Sequence, residues 1–296
     1  MKLDPQPAPR RAGLRVAGLS DVGRRRSANE DSWTYAATAD GGQLLVVADG
    51  MGGMGRGDEA SRRAVASLKR SLVLADGDAH EELSSALTKS DRDVREALCT
   101  PSQQPGCTAA VVLIDRGRAH AAWVGDSPIW FVRGGQIIAR SHPHRLIDEL
   151  AAAGLLRPRP EHRMMLGAVL SRCIGGHLPD EKPIRPSFIE TPELQPGDRI
   201  LLASDGLTDM VDERDVLDLL DGDPASACQA LVDAANERGG EDNITVIVAV
   251  VEEAGAEQLG DTWVLGSEPP RPTLEPDPPE LPDELRSVLA LLNGRR

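Results

Sequence analysis

Three short apolar segments are followed by two helical patterns in immediate succession, and then by three more strand-like segments. Strictly alternating strand–helix units, which build parallel sheets, do not produce that order. Strand patterns fall near 14–20, 32–37, 43–48, 108–114, 118–125, 128–133, 185–190, 199–204 and 243–251. Ala60, Ala64, Val65, Leu68 and Leu72 make one apolar face of a helix over 57–73. Leu83, Ala86, Leu87, Val94 and Leu98 do the same over 80–98, and shorter helices are expected near 144–154, 213–220 and 224–238. The successive strands 108–114, 118–125 and 128–133, joined by Arg-Gly or Gly-Gly turns, read as an antiparallel meander. The class is α+β, with mostly antiparallel sheets covered by helices. Aromatic residues are only 2% of the chain, so the core must be filled by Val, Leu, Ile and Ala.

The strand ends carry the chemistry. Leu44–Ala48 runs into Asp49-Gly50-Met51-Gly52-Gly53, and Ile200–Ser204 runs into Asp205-Gly206. Asp242-Asn243 opens the strand that follows it. If that third strand lies antiparallel beside the first two, three carboxylates meet at one sheet edge. Two unit charges ~4 Å apart repel by about 4 kcal/mol at an effective dielectric near 20. Such a cluster calls for a cation, and oxygen-only donors select hard ions such as Mg²⁺ or Mn²⁺. A lone Asp-Gly is an ordinary turn, but the glycine run after Asp49 exceeds what a turn needs. It lets backbone approach a ligand, so Gly50 can offer its carbonyl to a cation held by Asp49.

The stretch from Asp21 to Asp31 adds the opposite charge through Arg24, Arg25 and Arg26. By itself it is a solvated basic loop. Beside a carboxylate–metal site it becomes a phosphate clamp, because a guanidinium stays charged and holds two phosphate oxygens at once. Glu30 and Asp31 open the next strand and can join the same edge. Gly125-Asp126-Ser127 is a further strand ending at an aspartate, read either as a hairpin turn or as part of the site.

Net charge is −14, which disfavours nucleic acid as a partner while leaving phosphoprotein open. Cys99, Cys107, Cys173 and Cys228 lack metal-ligand spacing and read as buried thiols of a reducing compartment. His142, His144 and His162 read as surface histidines. Met1 to Arg11 has no apolar core of a signal peptide, and no apolar run approaches the ~20 residues of a membrane helix. The expectation is a cytoplasmic protein. Residues 1–10 read as a disordered lead, 11–253 as the folded domain and 254–282 as an acidic linker that becomes Pro-rich from 267. Leu285, Val288, Leu289, Leu291 and Leu292 give 283–296 the pattern of a short amphipathic helix. It either docks on its own domain or serves as a docking element for a partner.

Seven stretches, in order, resemble the metal-dependent type 2C protein phosphatases, the PPM family, in its bacterial branch. They are Gly23-x-x-Arg26-x-x-Asn29-Glu30-Asp31, Val47–Gly53, Gly106–Ala109, Val124–Ser127, Ser171–Gly175, Ser204–Asp209 and Glu241–Val246. The resemblance implies a four-layer α-β-β-α sandwich with a two-metal site, Mn²⁺ or Mg²⁺, at one end. It implies that Asp49 bridges both ions, that the Gly50 carbonyl helps hold one and that Asp205 and Asp242 complete the other. Glu30 acts through a metal-bound water with Asp31 behind it, Arg26 holds the substrate phosphate, and Asp126 serves a third, weaker ion. The activity implied is hydrolysis of phosphoserine and phosphothreonine in proteins by a two-metal-activated water, opposing a bacterial Ser/Thr kinase. The alternative is a catalytically weak regulatory module that binds metal or phosphoprotein. The chain departs from the family pattern at Pro128, at Pro143-His144-Arg145, where an aspartate is lost, and over 161–169.

Overall fold

The computed structural model describes residues 13–51, 56–75, 77–115, 117–157, 159, 162, 166–176, 184, 186–191 and 193–252, with the backbone of 264–265. The lead 1–10, the tail helix 283–296 and most of the linker 254–282 lie outside the described residues.

Two antiparallel sheets stack face to face. One holds β2 (Ser32–Ala37), β3 (Gln43–Ala48), β6 (Ala109–Asp115), β7 (Arg118–Val124) and β11 (Ser187–Ile189), in the order β11-β7-β6-β3-β2. The other holds β1 (Gly13–Asp21), β8 (Ile129–Arg133), β9 (Gln136–Arg140), β12 (Arg199–Ala203), β13 (Ile244–Glu252) and β14 (Val264–Leu265), in the order β14-β1-β13-β12-β8-β9. Among the described residues its one parallel pairing joins β14, a dipeptide from the stretch read as a linker, to β1 at Gly18 and Leu19. A small third sheet, β10-β5-β4, pairs Ile174–Gly175, Gly106–Cys107 and Gly50–Met51 near the end of the sandwich.

Strand alternation divides the apolar side chains into three layers. Leu44, Val46 and Ala48 of β3 face helices α1 (Gly57–Leu72) and α2 (Ala79–Leu98), packing on Ala60, Ala64, Leu68, Leu83 and Leu87. Leu45 and Val47 of the same strand face the second sheet, among Trp33, Phe131, Ile200, Leu202, Ile247 and Ala249. The outer face of that sheet packs Leu201, Val246 and Val248 against Val216 of α5 (Glu213–Leu219) and Leu231 of α6 (Pro224–Glu237). The four-layer order is therefore helices, sheet, sheet, helices. The few aromatic side chains concentrate between the sheets, where Trp33, Trp123 and Phe131 sit with Tyr35 at their margin.

The helices start where local chemistry directs. Asp78 caps α2 by accepting from the N–H groups of His80 and Glu81, both at 3.0 Å. Asp223 caps α6 with Pro224 in its first turn. Acidic Asp58 and Glu59 open α1 and basic Lys69 and Arg70 close it, matching the helix dipole.

Two sequence expectations are corrected. β13 lies antiparallel beside β12, as expected, but β3 belongs to the opposite sheet, so the carboxylates converge across the sandwich and not along one edge. The predicted meander breaks at Gly125. β6 and β7 form a hairpin, after which the chain crosses to the other sheet, where β8 pairs with β12 and β9. Gly125 makes the crossing at φ +81°, and a Cβ there would meet Thr108 at 2.6 Å. Strands that are apolar on both faces do not declare which sheet they join.

Candidate active site

The site is built at one end of the sandwich, where strands from both sheets stop or start. Ser32 pairs with Ala48, so Asp31 and Asp49 leave neighbouring strands at the same level. The Asp49 N–H donates to Thr108 Oγ1 at 3.0 Å, and Thr108 N–H donates back to the Asp49 carbonyl at 2.8 Å. Thr108 Oγ1 also lies 2.5 Å from Ser127 Oγ, tying the Asp126 turn into the same frame. Ser204 Oγ donates to Asp31 Oδ2 at 2.6 Å and accepts from Thr245 N–H at 2.9 Å. That hydroxyl joins the two sheets and sets Asp205, the first residue of the short helix α4 (Asp205–Thr208), opposite Asp49.

Asn243 is the second anchor. Its Oδ1 accepts from Glu30 N–H at 2.9 Å, and its Nδ2 donates to the carbonyls of Val22 and Ala28, each at 2.9 Å. The basic loop is thereby folded over the start of β13. Two glycines allow the backbones to meet: a Cβ at Gly206 would lie 2.0 Å from the Asn243 carbonyl oxygen, and one at Gly50 2.4 Å from that of Glu30. Ser61 of α1 donates to the Glu30 carbonyl at 2.6 Å.

Electrostatics mark the centre. Asp49 keeps partial solvent access, yet burial, followed by the charges of Asp31, Asp205 and Asp126, pushes its pKa well above the usual range. Burial is the main cause at Asp205 too, with Asp126 and Asp209 adding, and raises it to about 7. Asp31 also rises to about 7 through burial, although the Ser204 and Thr245 hydroxyls beside it pull it back. Its Oδ1 is buried with no hydrogen-bond donor. Glu30 is raised by burial and then by Asp58. Protons must be shared among these groups, or a cation must take their place.

The donor set suits such a cation: carboxylates, a carbonyl and an unpartnered buried oxygen. Among the described residues no three of His, Cys, Asp and Glu close into a ligand shell of their own. Hard ions of the Mg²⁺ kind take oxygen donors of this sort, using one or two carboxylates and keeping several waters.

On the outer flank, Arg26 donates to Asp242 Oδ2 at 2.5 Å, with both side chains open to solvent. On the other, Arg145 Nε donates to Asp126 Oδ2 at 2.9 Å and Nη2 lies 3.6 Å from Asp209 Oδ1. Burial opposes the Arg145 charge, but Asp126 and then Asp209 and Asp205 outweigh it and hold the guanidinium above its ordinary range.

The structure thus brings Asp49, Asp205 and Asp31 together, with Glu30, Asp242 and Arg26 on one side and Asp126 on the other. Sequence reasoning missed Ser204, Thr108, Asn243 and Ser61 as the frame, although three of them lie inside the motif stretches; buried hydroxyls and amides carry no periodic signal. Two histidines are corrected. His144 and His162 are buried, and only His142 is exposed. His144 stacks on Trp123 at 5.2 Å between ring centroids, and burial lowers its pKa to about 3, so it is neutral. The thiols are free, three of them buried and Cys173 partly so. Burial pushes Cys107, two residues before β6, far from thiolate character.

The family model described as Protein phosphatase 2C matches residues 23–226. The chain belongs to the protein phosphatase 2C family. With membership comes the enzyme class, a protein-serine/threonine phosphatase. Protein phosphatase PhpP of Streptococcus pneumoniae is 31% identical over 251 residues, 82% of this chain and all of that protein. Serine/threonine protein phosphatase PstP of Mycobacterium tuberculosis is 31% identical over 80% of this chain and 45% of its own length. The S. agalactiae serine/threonine phosphatase superposes with a TM-score of 0.72 at 29% identity, covering 81% of this chain and all of that one. The catalytic domain of PstP, solved in complex with two manganese ions, gives 0.67 at 30% identity, covering 81% and 99%. Among the described residues no helix is long and apolar enough to cross a membrane.

Proposed function

We propose that this phosphatase hydrolyses phosphoserine and phosphothreonine in proteins, opposing a bacterial Ser/Thr kinase, and depends on two divalent cations. The observation that carries the reading is the meeting of Asp31, Asp49 and Asp205 where the two sheets end, with burial first and neighbouring carboxylates second raising all three. Asp49 and Asp205, with the Gly50 carbonyl, Asp242, Glu30 and Asp31, would hold Mn²⁺ or Mg²⁺. Bound there, the ions supply Lewis acidity, offsetting phosphate charge and acidifying water for attack on phosphorus.

The rest is done by this chain's own groups. Thr108 fixes the backbone of Asp49, and Ser204 fixes the carboxylate of Asp31. Asn243 holds the Glu30 backbone, so the carboxylates stand in place before substrate arrives. Arg26 binds the phosphate. Its pairing with Asp242 is exposed and exchangeable, and a phosphate dianion offers a guanidinium two acceptors where it now has one. The Arg24–Arg26 run gives an otherwise acidic protein a local attraction for phosphorylated segments.

The test is turnover of phosphoserine, phosphothreonine and phosphotyrosine peptides by metal-stripped protein, with Mn²⁺, Mg²⁺ or Ca²⁺ returned. Restoration by Mn²⁺ or Mg²⁺, with phosphotyrosine the poorer substrate, is expected. No turnover with any ion, in protein whose circular dichroism is that of a folded chain, would overturn the reading.

A further inference from the structure

We propose that Arg145 is a built-in cation on the Asp126–Asp209 flank of the active site, and that this flank takes no third divalent ion. The inference rests on the two-ion reading above and departs from the family resemblance, which assigns Asp126 to a metal.

The Asp126 side chain is only 5% exposed, and its Oδ2 is committed to Arg145 Nε at 2.9 Å. The same guanidinium reaches Asp209, whose Oδ1 lies 3.6 Å from Nη2. A guanidinium cannot lose its proton in a protein and has no lone pair to offer a metal. A divalent ion on Asp126 would have to displace it or sit against it, with two cations competing for one carboxylate.

Displacement is opposed by the way Arg145 is mounted. Its backbone bridges to Leu170. On either side of it, His144 N–H donates to the Gly125 carbonyl at 2.9 Å and Leu146 N–H to Val169 at 2.8 Å. Its own carbonyl accepts from Asp148 and Glu149 at 3.0 and 3.1 Å, starting helix α3 (Leu146–Ala152). The ring of His144 stacks on Trp123, and Trp123 Nε1 donates to the His142 carbonyl at 2.7 Å. The segment that departs from the family pattern is therefore pinned to the sandwich, with Arg145 aimed at the turn where the chain changes sheets. Arg145 acts as a positioning residue. Asp126 and Asp209 are the two charges that weigh most on Asp205, and one fixed cation neutralises that flank without an ion.

The experiment counts Mn²⁺ bound by metal-stripped protein at millimolar Mn²⁺, using equilibrium dialysis. Wild type and Asp126→Asn are both expected to hold two ions, because Asp126 is not a ligand. Arg145→Ser frees Asp126 and Asp209 and should hold three, returning to two in Arg145→Ser/Asp126→Asn. Arg145→Lys keeps a charge there and should hold two, a control should the serine variant fold poorly. Three ions in wild type that fall to two in Asp126→Asn would overturn the proposal. So would a folded Arg145→Ser protein that still holds two. No bound ion in wild type would instead overturn the two-ion reading beneath it.

Discussion

Arg26 meets Asp242 at 2.5 Å with the two side chains 53% and 38% exposed, whereas Arg145 meets Asp126 at 2.9 Å with the carboxylate almost wholly buried. Both pairs flank one carboxylate centre, and each joins a guanidinium to an aspartate. Their surroundings separate them. An exposed pair is screened by water, pays side-chain entropy and is worth little, as the proposed exchange for a substrate phosphate requires. A buried carboxylate that loses its partner keeps its desolvation penalty, so that pair is a fixture. The different roles proposed for the two pairs rest on their solvent access, not on the residues' identity.

The largest effect belongs to the centre between the pairs. Asp49→Ala or Asp205→Ala is expected to lower turnover by ~10³-fold or more, the loss of several kcal/mol of charge stabilisation at the transition state. The metal-free variant should melt no lower than wild type near neutral pH, since a buried carboxyl whose raised pKa costs stability there has gone. Near-normal turnover with phosphopeptide would remove either residue from the chemistry.

The pH response of metal-free protein comes next. Asp31 and Asp205 have an ordinary value of 3.8 and rise to about 7 in the folded state. Between those values the folded chain holds protons that the unfolded chain has released. Stability is therefore full at the acid end of that window and is lost as pH climbs through about 7. Thermal melting of the stripped protein should fall from pH 5.5 to pH 8, and saturating Mn²⁺ should flatten the slope. A metal-free midpoint that rises with pH would contradict this account of the centre.

Breaking the two pairs separately sharpens the contrast. Asp126→Ala is expected to cost about 2 kcal/mol in urea unfolding, less than a fully buried pair because Arg145 keeps some water contact. Arg26→Ala should change stability by no more than about 0.5 kcal/mol. Its effect should fall on KM for phosphoprotein, raised ~10-fold by loss of a charge-assisted hydrogen bond, with kcat nearly unchanged. Equal stability losses in the two variants would erase the distinction, and an unchanged KM would move Arg26 off the phosphate.

Much of this was legible because strand ends are legible. The segments 32–37 and 43–48 coincide with β2 and β3, and Asp49, Asp205 and Asp242 stand at strand ends as read, although across two sheets and not along one edge. Sheet membership was not legible. Ile129 and Phe131 face the other sheet while Trp130 and Val132 face helices, and a strand apolar on both sides fits either sheet equally well. The two-residue strands at Gly50, Gly106 and Ile174 are too short to carry a period. His144 was misread because one polar residue in a loop gives no hint of the tryptophan it will stack on. Arg145 appeared only as a departure from a pattern; its meaning required seeing the carboxylate it faces.

β1 and β13 pair along their whole length, from Gly13 with Glu252 to Asp21 with Ile244, and β13 is the strand between β1 and β12. The first described strand therefore waits for one more than 200 positions later. During synthesis, β1 and β12 leave the ribosome without the partner that joins them, and the Asn243 that organises the basic loop arrives with it. Contacts this distant in sequence are slow to form and leave strand edges open meanwhile. A chain that stops short of Ile244 lacks the strand that joins β1 to β12 at the carboxylate end of the sandwich. Ribosome-bound chains arrested before that residue should show no phosphatase activity, and it should appear once residue 252 clears the exit tunnel.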